Sequence, residues 1–282
     1  MTYAQAYETG KNILTKAGIS EAGLEARLLL EHVCGTGRND LLVHGDRPVD
    51  SVQCSSYEQL LARRAERLPL QYLTESQEFM GLDFAVNGHV LIPRQDTEIL
   101  VEEVLRNLHD GMEILDMCTG SGCILISLLR YSNDCAGLGV DISGDALRVA
   151  RKNAENILNG FPVKVQFLES NLFESVEGMF DVIVSNPPYI PAGDIEGLMP
   201  EVRDYEPRIA LDGGEDGLDF YRKILEGSRC HLKKGGMLFF EIGYDQGEAV
   251  SKMMKDAGFL EVLVRKDYAG LDRVVFGTRS FA

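Results

Sequence analysis

The chain has 282 residues, 45% of them hydrophobic, with 28 Lys and Arg against 44 Asp and Glu for a formal net charge of −16. That length describes one large domain or a catalytic domain with a smaller attachment, and the acidic balance argues against nucleic acid as the main substrate, since the basic stretches "ARRAER" and "HLKKGG" are short. Six cysteines without CxxC pairs, five histidines without metal-ligand spacing and an N-terminus without an apolar leader point away from a metal centre or a membrane span. A soluble, cytoplasmic protein is the expectation.

Residues 1–75 read as helical. "SEAGLEARLLLEHVCG" offers Ser20 as a cap and Gly35 as a stop. "YEQLLARRAERL" puts Leu60, Leu61, Ala65 and Leu68 on one stripe, and Pro69 ends it. Over 76–92, "QEFMGLDFAVNGHVLI" alternates and carries Asn87-Gly88, the signal for a β-hairpin turn. The pattern therefore divides into a small N-terminal helical domain, 1–75, a β-hairpin linker, 76–92, and a larger domain, 93–282.

From residue 112 strands and helices alternate. The strands are "MEILDM", "AGLGVD", "VKVQFLE", "FDVIVS" and "GGMLFFEI", with helices such as "GCILISLLRY" and "DALRVARKNAENI" among them. This rhythm implies a doubly wound, Rossmann-like α/β sheet with ligands at the carboxyl ends of its strands. "FLEVLVRKD" and "DRVVFGT" close the chain with no helix between them, so the last strand runs antiparallel to its neighbour. That is a methyltransferase-type ending.

The first strand of this run leads from Asp116 into "CTGSG", residues 118 to 122, where glycines let a ligand approach the backbone at a helix start. A dinucleotide fingerprint needs another glycine or alanine at the place held by Leu125. A lone GxG also serves packing in many turns. Asp141 ends the second strand about 20 residues on, where a carboxylate accepts both hydroxyls of a ribose, although it can also cap the next helix. Asn171 ends the third strand, as an amide able to read an adenine edge or as a turn residue. Three successive strand ends with such groups favour a nucleoside ligand.

The fourth strand stops at "SNPPYIP". Pro187 and Pro188 have no N–H to give a ladder. Asn186 Oδ1 and the Pro187 carbonyl form a pair of acceptors, and Tyr189 can pack on a flat group. Two acceptors holding the N–H hydrogens of a planar nitrogen favour its pyramidalisation, so this arrangement suits methyl transfer to an amide or exocyclic amine. A turn that merely ends the strand is the plain alternative.

The sequence resembles the peptide chain release factor glutamine methyltransferases, class I enzymes of the NPPY type, over nearly its whole length. "LPLQYLTESQEFMGLDFAV", "VLIPRQDTEILVE", "LDMCTGSGCI", "VDIS", "SNPPYIP", "YEPRIALDGGEDGLDFYRKI" and "FEIGYDQG" carry the likeness. The resemblance implies a class I methyltransferase fold and methyl transfer from S-adenosyl-L-methionine, leaving S-adenosyl-L-homocysteine. The acceptor would be the glutamine amide nitrogen of the Gly-Gly-Gln motif in release factors, with an effect on translation termination. By motif, Cys118, Thr119, Gly120, Ser121, Gly122, Asp141, Asn171, Leu172 and Asn186 would contact the cofactor. Asn186, Pro187, Pro188 and Tyr189 would hold the substrate glutamine, with Asn186, Pro187 and Tyr189 catalytic. The helical domain would dock the release factor, with no direct nucleic-acid or membrane partner. Cys118 stands where the family usually has glycine, which excludes a requirement for positive φ there. Asn171 replaces a usual aspartate, and Glu75 a common glycine. Two other readings use the same features: a nucleic-acid amino-methyltransferase, disfavoured by charge, and a non-catalytic nucleoside-binding module, which has no use for the paired acceptors.

Overall fold

The computed structural model describes residues 1–280. Its elements run α1 (Tyr3–Lys16), α2 (Ala22–Cys34), α3 (Arg38–Val43), α4 (Ser51–Ala65), α5 (Leu70–Thr74), β1 (Ser76–Phe79) and β2 (Leu82–Ala85). They continue with α6 (Gln95–Leu105), β3 (Glu113–Met117), α7 (Cys123–Tyr131), β4 (Ala136–Asp141), α8 (Gly144–Ile157), β5 (Lys164–Glu169) and β6 (Phe180–Ser185). The remainder are α9 (Pro200–Arg203), α10 (Asp219–His231), β7 (Leu232–Glu241), α11 (Gly247–Asp256), β8 (Phe259–Lys266) and β9 (Asp272–Arg279). Two compact units result, Met1–Ser76 with Met199–Tyr205, and Gln77–Leu198 with Glu206–Ala282.

In the helical unit, Leu14, Leu29, Leu30, Tyr57 and Leu61 form a core, and the Tyr57 hydroxyl donates to the Ala26 carbonyl at 2.9 Å. Capping boxes start α1 at Thr2/Gln5 and α4 at Asp50/Gln53. Helix α2, in contrast, begins at Glu21 with no side-chain cap, so Ser20 is not the cap that its position suggests. The stripe of α4 that carries Leu61 also buries Arg64. The Arg64 guanidinium bonds Glu25 and also Glu201, which comes from the segment that re-enters this unit. Arg67 donates to the same Glu201 carboxylate at 2.9 Å, and the Tyr205 hydroxyl donates to the Glu66 carbonyl at 2.6 Å. Such a buried charge is held because each donor finds an acceptor.

The second unit is a seven-stranded sheet in the order β5-β4-β3-β6-β7-β9-β8. Strand β9 is antiparallel to both β7 and β8, and the remaining pairs are parallel. Helices cover both faces. Residues of α6 and α7, including Leu100, Leu125 and Leu128, pack on one, and Tyr221, Ile224 and Val250 of α10 and α11 on the other. The strand order reverses between β3 and β6, and in open α/β sheets that reversal opens a crevice at the carboxyl edge. Among the described residues no helix is long and apolar enough to cross a membrane.

The hairpin forms with a different turn from the one its sequence signals. Met80 and Gly81, at φ 54° and 70°, link β1 to β2. Asn87-Gly88 lies beyond β2, where Asn87 Oδ1 accepts from the His89 amide at 3.0 Å. Two consecutive positive φ values match the strand twist, and the pairing of Phe79 with Phe84 in an edge-on contact fixes the register. Glycine usage was thus a poorer guide than the apolar pairing.

Glu75 closes α5 with φ 57°, so the common glycine at this place has a physical reason, the left-handed turn out of the helix. The side chain is exposed. Glu75→Gly is therefore expected to raise unfolding free energy by roughly 0.5–1 kcal/mol, the relief of left-handed strain less glycine's extra entropy when unfolded. Urea denaturation of both chains measures it; an unchanged or lower midpoint refutes the strain.

Candidate active site

The carboxyl ends of β3, β4 and β6 and the turn after β5 surround a cavity of about 1100 Å³, counting the part open to solvent. The turn after β3 enters it first. Buried Asp116 accepts from the Thr119 hydroxyl at 2.5 Å, while its other oxygen has no partner among the described residues. Burial pushes this carboxyl up to about 7, against the Thr119 bond that lowers it. Asp116 therefore shapes the turn from beneath it; Cys118, Thr119, Gly120 and Ser121 face the cavity.

Cys118 corrects the sequence expectation. Its φ is 62°, so the place that glycine usually holds is left-handed here as well. Gly120 and Gly122 follow at φ 55° and 78°. Nothing lies within 4 Å of the face of Gly120 that a Cβ would occupy, whereas at Gly122 a Cβ would meet Ile126 and Ala150. Gly120 leaves its backbone open, and Gly122 allows α7 to pack; Gly122 itself does not line the cavity. Burial drives the Cys118 thiol far above its usual pKa, so it stays neutral.

Asp141 ends β4 with Oδ2 accepting from the Gly120 amide and Oδ1 from the Ser143 amide, both at 2.9 Å. It ties the two strand-to-helix turns together while keeping lone pairs for the cavity. Ser143, not Asp141, caps α8 through the Ala146 amide. Burial raises the Asp141 pKa, offset by the Ser143 and Gly120 bonds. Next, Asn171 and Leu172 line the wall, Leu172 at φ 51°. Asn171 donates to Glu174 at 2.7 Å, leaving its oxygen for another partner. Apolar Ile142 and Leu172 flank these polar groups.

Asn186 and Pro188 reach the cavity from the end of β6. Asn186 Nδ2 donates to Thr97 Oγ1 at 3.3 Å. Pro187 and Tyr189 do not line the cavity. The Tyr189 ring is turned back so that its hydroxyl donates to Glu241 Oε1 at 3.4 Å, and its carbonyl accepts from Gln246 Nε2 at 3.0 Å. Burial raises the Tyr189 pKa and pushes Glu241 up to about 7, although Thr97 and Arg273 pull Glu241 down.

Sequence reasoning left several participants without a role. Thr97, Arg94 and Pro93 come from "IPRQDTE", and Pro207, Ile209 and Ala210 from "YEPRIAL". Glu206 of the second stretch accepts from Arg94 at 2.5 Å and from the Ile92 amide at 3.3 Å, joining the two motifs along the cavity rim. "FEIGYDQG" supplies Glu241 and Gln246, the two supports under "NPPY". Their polar residues within apolar stretches were the available signal.

Residues 5–74 match the family described as PrmC N-terminal domain, and residues 94–198 the family described as methyltransferase small domain. The release factor glutamine methyltransferase of Geobacter sulfurreducens is 44% identical over 95% of this chain and 93% of its own. That of Moorella thermoacetica is 42% identical over 99% of both. A crystal structure of a methyltransferase from Pyrococcus furiosus, 20% identical, superposes with a TM-score of 0.55 over 78% of this chain and 99% of that one, a likeness of fold.

Asp116 gives the site a measurable pH signature. Its folded pKa, about 7, lies above the usual carboxylate value of about 4, so the native state binds the extra proton between them. Its contribution to stability is full below pH 4 and is lost as pH rises through 7. Asp116→Asn, which cannot ionise, is expected to gain on the wild type as pH goes from 5 to 8. Urea midpoints at both pH values test this; parallel curves refute the buried-carboxyl assignment.

Proposed function

The chain belongs to the release factor glutamine methyltransferase family, and from that premise we propose that it methylates the side-chain amide nitrogen of the Gly-Gly-Gln glutamine in peptide chain release factors. The observation that carries the reading is Asn186 at the cavity rim, with its amide nitrogen spent on Thr97 and its oxygen left for a substrate N–H. Methylation there bears on translation termination.

The cavity suits S-adenosylmethionine by its donor set. The open backbone at Gly120 and the turn Cys118 to Ser121 would hold the amino-acid end, the Asp141 carboxylate the ribose, and Asn171 with Ile142 and Leu172 the base. When bound, S-adenosylmethionine supplies an electrophilic methyl group and departs as S-adenosylhomocysteine.

The protein's own part is to position and polarise the acceptor. A glutamine nitrogen is a poor nucleophile because its lone pair is delocalised into the carbonyl. Asn186 Oδ1, at the cavity wall, accepts one of its N–H bonds and favours the pyramidal geometry in which the lone pair is free, whereas Pro187 does not line the cavity and its carbonyl is not placed there as the second acceptor that the sequence suggests. As the nitrogen gains a methyl it becomes positive, so Asn186 Oδ1 binds it more tightly in the transition state than before. Tyr189, anchored by Glu241 and Gln246, holds this stretch of backbone rigid behind Asn186. The proton leaves the nitrogen after transfer, so no base of unusual pKa is needed. Alignment of nitrogen and methyl supplies further rate through lost entropy already met on binding.

The helical unit is the docking element for the release factor. Leu42 and Val43 on α3 are 77% and 68% exposed, apolar surface that a protein partner would cover. Leu42→Ser with Val43→Ser is expected to lower kcat/KM for full-length release factor about 10-fold, the weight of one or two interface anchors, without changing S-adenosylmethionine affinity. Equal kcat/KM for both chains removes α3 from the docking surface.

For the site, Asn186→Ala is expected to reduce turnover by about 100-fold or more, as for one preorganised partner at a developing charge, with a smaller effect on cofactor binding. Single-turnover transfer of tritiated methyl to purified release factor, mapped to the glutamine by mass spectrometry and compared with tRNA, rRNA and DNA, tests substrate and residue together. A normal rate for the alanine chain would mean that "NPPY" is only a turn.

A further inference from the structure

The amino group of an adenine has N–H bonds to give and needs an acceptor. An aspartate meets that need without ambiguity, because a carboxylate only accepts. An asparagine can turn either its oxygen or its NH₂ outward, and the two ends are nearly equal in shape. Asn171 is such a residue, on the cavity wall just after β5. Reversed, it would meet an amino group donor to donor. The group that holds its far end is Glu174, whose Oε1 accepts from Asn171 Nδ2 at 2.7 Å.

We propose that Glu174 is a positioning residue that reserves the Asn171 oxygen for the cofactor, so that the amide acts as an aspartate would and selects adenine over hypoxanthine. The inference rests on the reading of the cavity as the S-adenosylmethionine site. A carboxylate offers lone pairs alone, so the end of Asn171 that meets Glu174 is the NH₂. Reversal would break this bond and set the amide oxygen against the carboxylate. Hypoxanthine carries an oxygen where adenine carries the amino group, and it would need that reversal. Apolar Ile142 and Leu172, which flank the position, cannot tell the two bases apart.

The turn itself does not depend on this contact. The Glu174 amide donates to the Asn171 carbonyl at 3.3 Å, and the Val176 amide to the Phe173 carbonyl at 3.0 Å. The Ser175 amide donates to the hydroxyl of buried Ser170 at 2.9 Å. These bonds use main-chain groups and Ser170, and none uses the Glu174 carboxylate. Glu174 is exposed, so its side chain can be removed without opening the core. What its carboxylate contributes is the direction of one amide.

The test is calorimetric titration of the full chain with two probes, S-adenosylhomocysteine and its hypoxanthine analogue, S-inosylhomocysteine. The wild type is expected to prefer the adenosyl probe by about 10-fold or more, the weight of one mismatched polar contact. Glu174→Ala frees the amide to turn. It is expected to weaken the adenosyl probe about 3- to 10-fold, the cost of ordering one side chain on binding, while affinity for the inosyl probe holds or rises. Equal binding of both probes by the wild type overturns the inference, and so does an unchanged adenosyl affinity in the alanine chain. Loss in the same proportion for both probes marks a change of pocket shape and overturns it as well. An aspartate at 171 needs no partner to choose its end, and beside Glu174 it meets a like charge. Asn171→Asp combined with Glu174→Ala is therefore expected to bind the adenosyl probe more tightly than either single variant, reversing the sign of the Glu174 effect. A double variant no tighter than Glu174→Ala overturns the inference. If the wild type binds neither probe, the reading of the cavity falls and this inference with it; if only the variants depart from expectation, the inference falls alone.

Discussion

The second unit is organised around the place where β6 stops. Parallel strands in a buried sheet need partners on both sides, and β6 has them in β3 and β7 up to Ser185. Asn186-Pro187-Pro188 then ends the ladder, because two proline nitrogens cannot donate to it. This happens beside the reversal of strand order, so the chain is released where the crevice opens. A loose loop there would be useless for chemistry. The end of β7 answers that need: Glu241 takes the Tyr189 hydroxyl, Gln246 takes the Tyr189 carbonyl, and the Tyr221 hydroxyl donates to the Glu241 carbonyl at 3.0 Å. The loop is irregular in backbone, and it is tied down through the polar groups of Tyr189 while Asn186 Oδ1 stays open to the cavity.

The glycines around this loop follow the same constraint. A Cβ on Gly213 or Gly217 would strike the Tyr189 backbone, so two members of "DGGEDG" are small because "NPPY" passes directly over them. The motif was visible in the sequence as a glycine cluster without a task. Its task is to let two backbones approach, and no spacing rule in one segment can disclose a requirement imposed by another. The same holds for Thr97, whose neighbour Asn186 is 89 residues away in the chain.

What the sequence disclosed well was whatever depends on near neighbours. The strand "AGLGVD" matches β4 residue for residue, since its apolar run and the turn after it are local properties. The antiparallel ending could be argued from the missing crossover helix alone. Asp141, Asn171 and Asn186 meet at one cavity because strand ends in a parallel sheet share an edge, so three separate weak signals gained force from one geometric rule. Failures came where backbone conformation or distant partners decide. Cys118 and Leu172 are left-handed without being glycine, so residue type concealed their φ. Ser20 had the right chemistry for a cap, but α2 starts at Ala22 after a non-capping Glu21. Tyr189 had the right ring for stacking, but its hydroxyl is drawn inward by a buried carboxylate.

The non-glycine left-handed residues suggest how the pocket obtains its shape. Each such backbone costs about 1–2 kcal/mol, and two of them, Cys118 and Leu172, flank the cavity with Gly120 and Gly122 between them in sequence. Strain of this kind persists only where the surroundings over-determine it. Here they do: the Thr119 amide donates to the Val140 carbonyl at 2.9 Å, Gly120 to Asp141 at 2.9 Å, and the Ser170 amide to the Asp141 carbonyl at 3.0 Å. These bonds run from one strand end to the next, β3 to β4 to β5. Asp141 therefore serves the cavity twice, through its carboxylate and through its carbonyl. A substitution there removes a ligand group and at the same time frees the turn that Gly120 belongs to. The pocket's rigidity and its recognition chemistry reside in the same residue, which is why side-chain identity in the sequence showed the second and concealed the first.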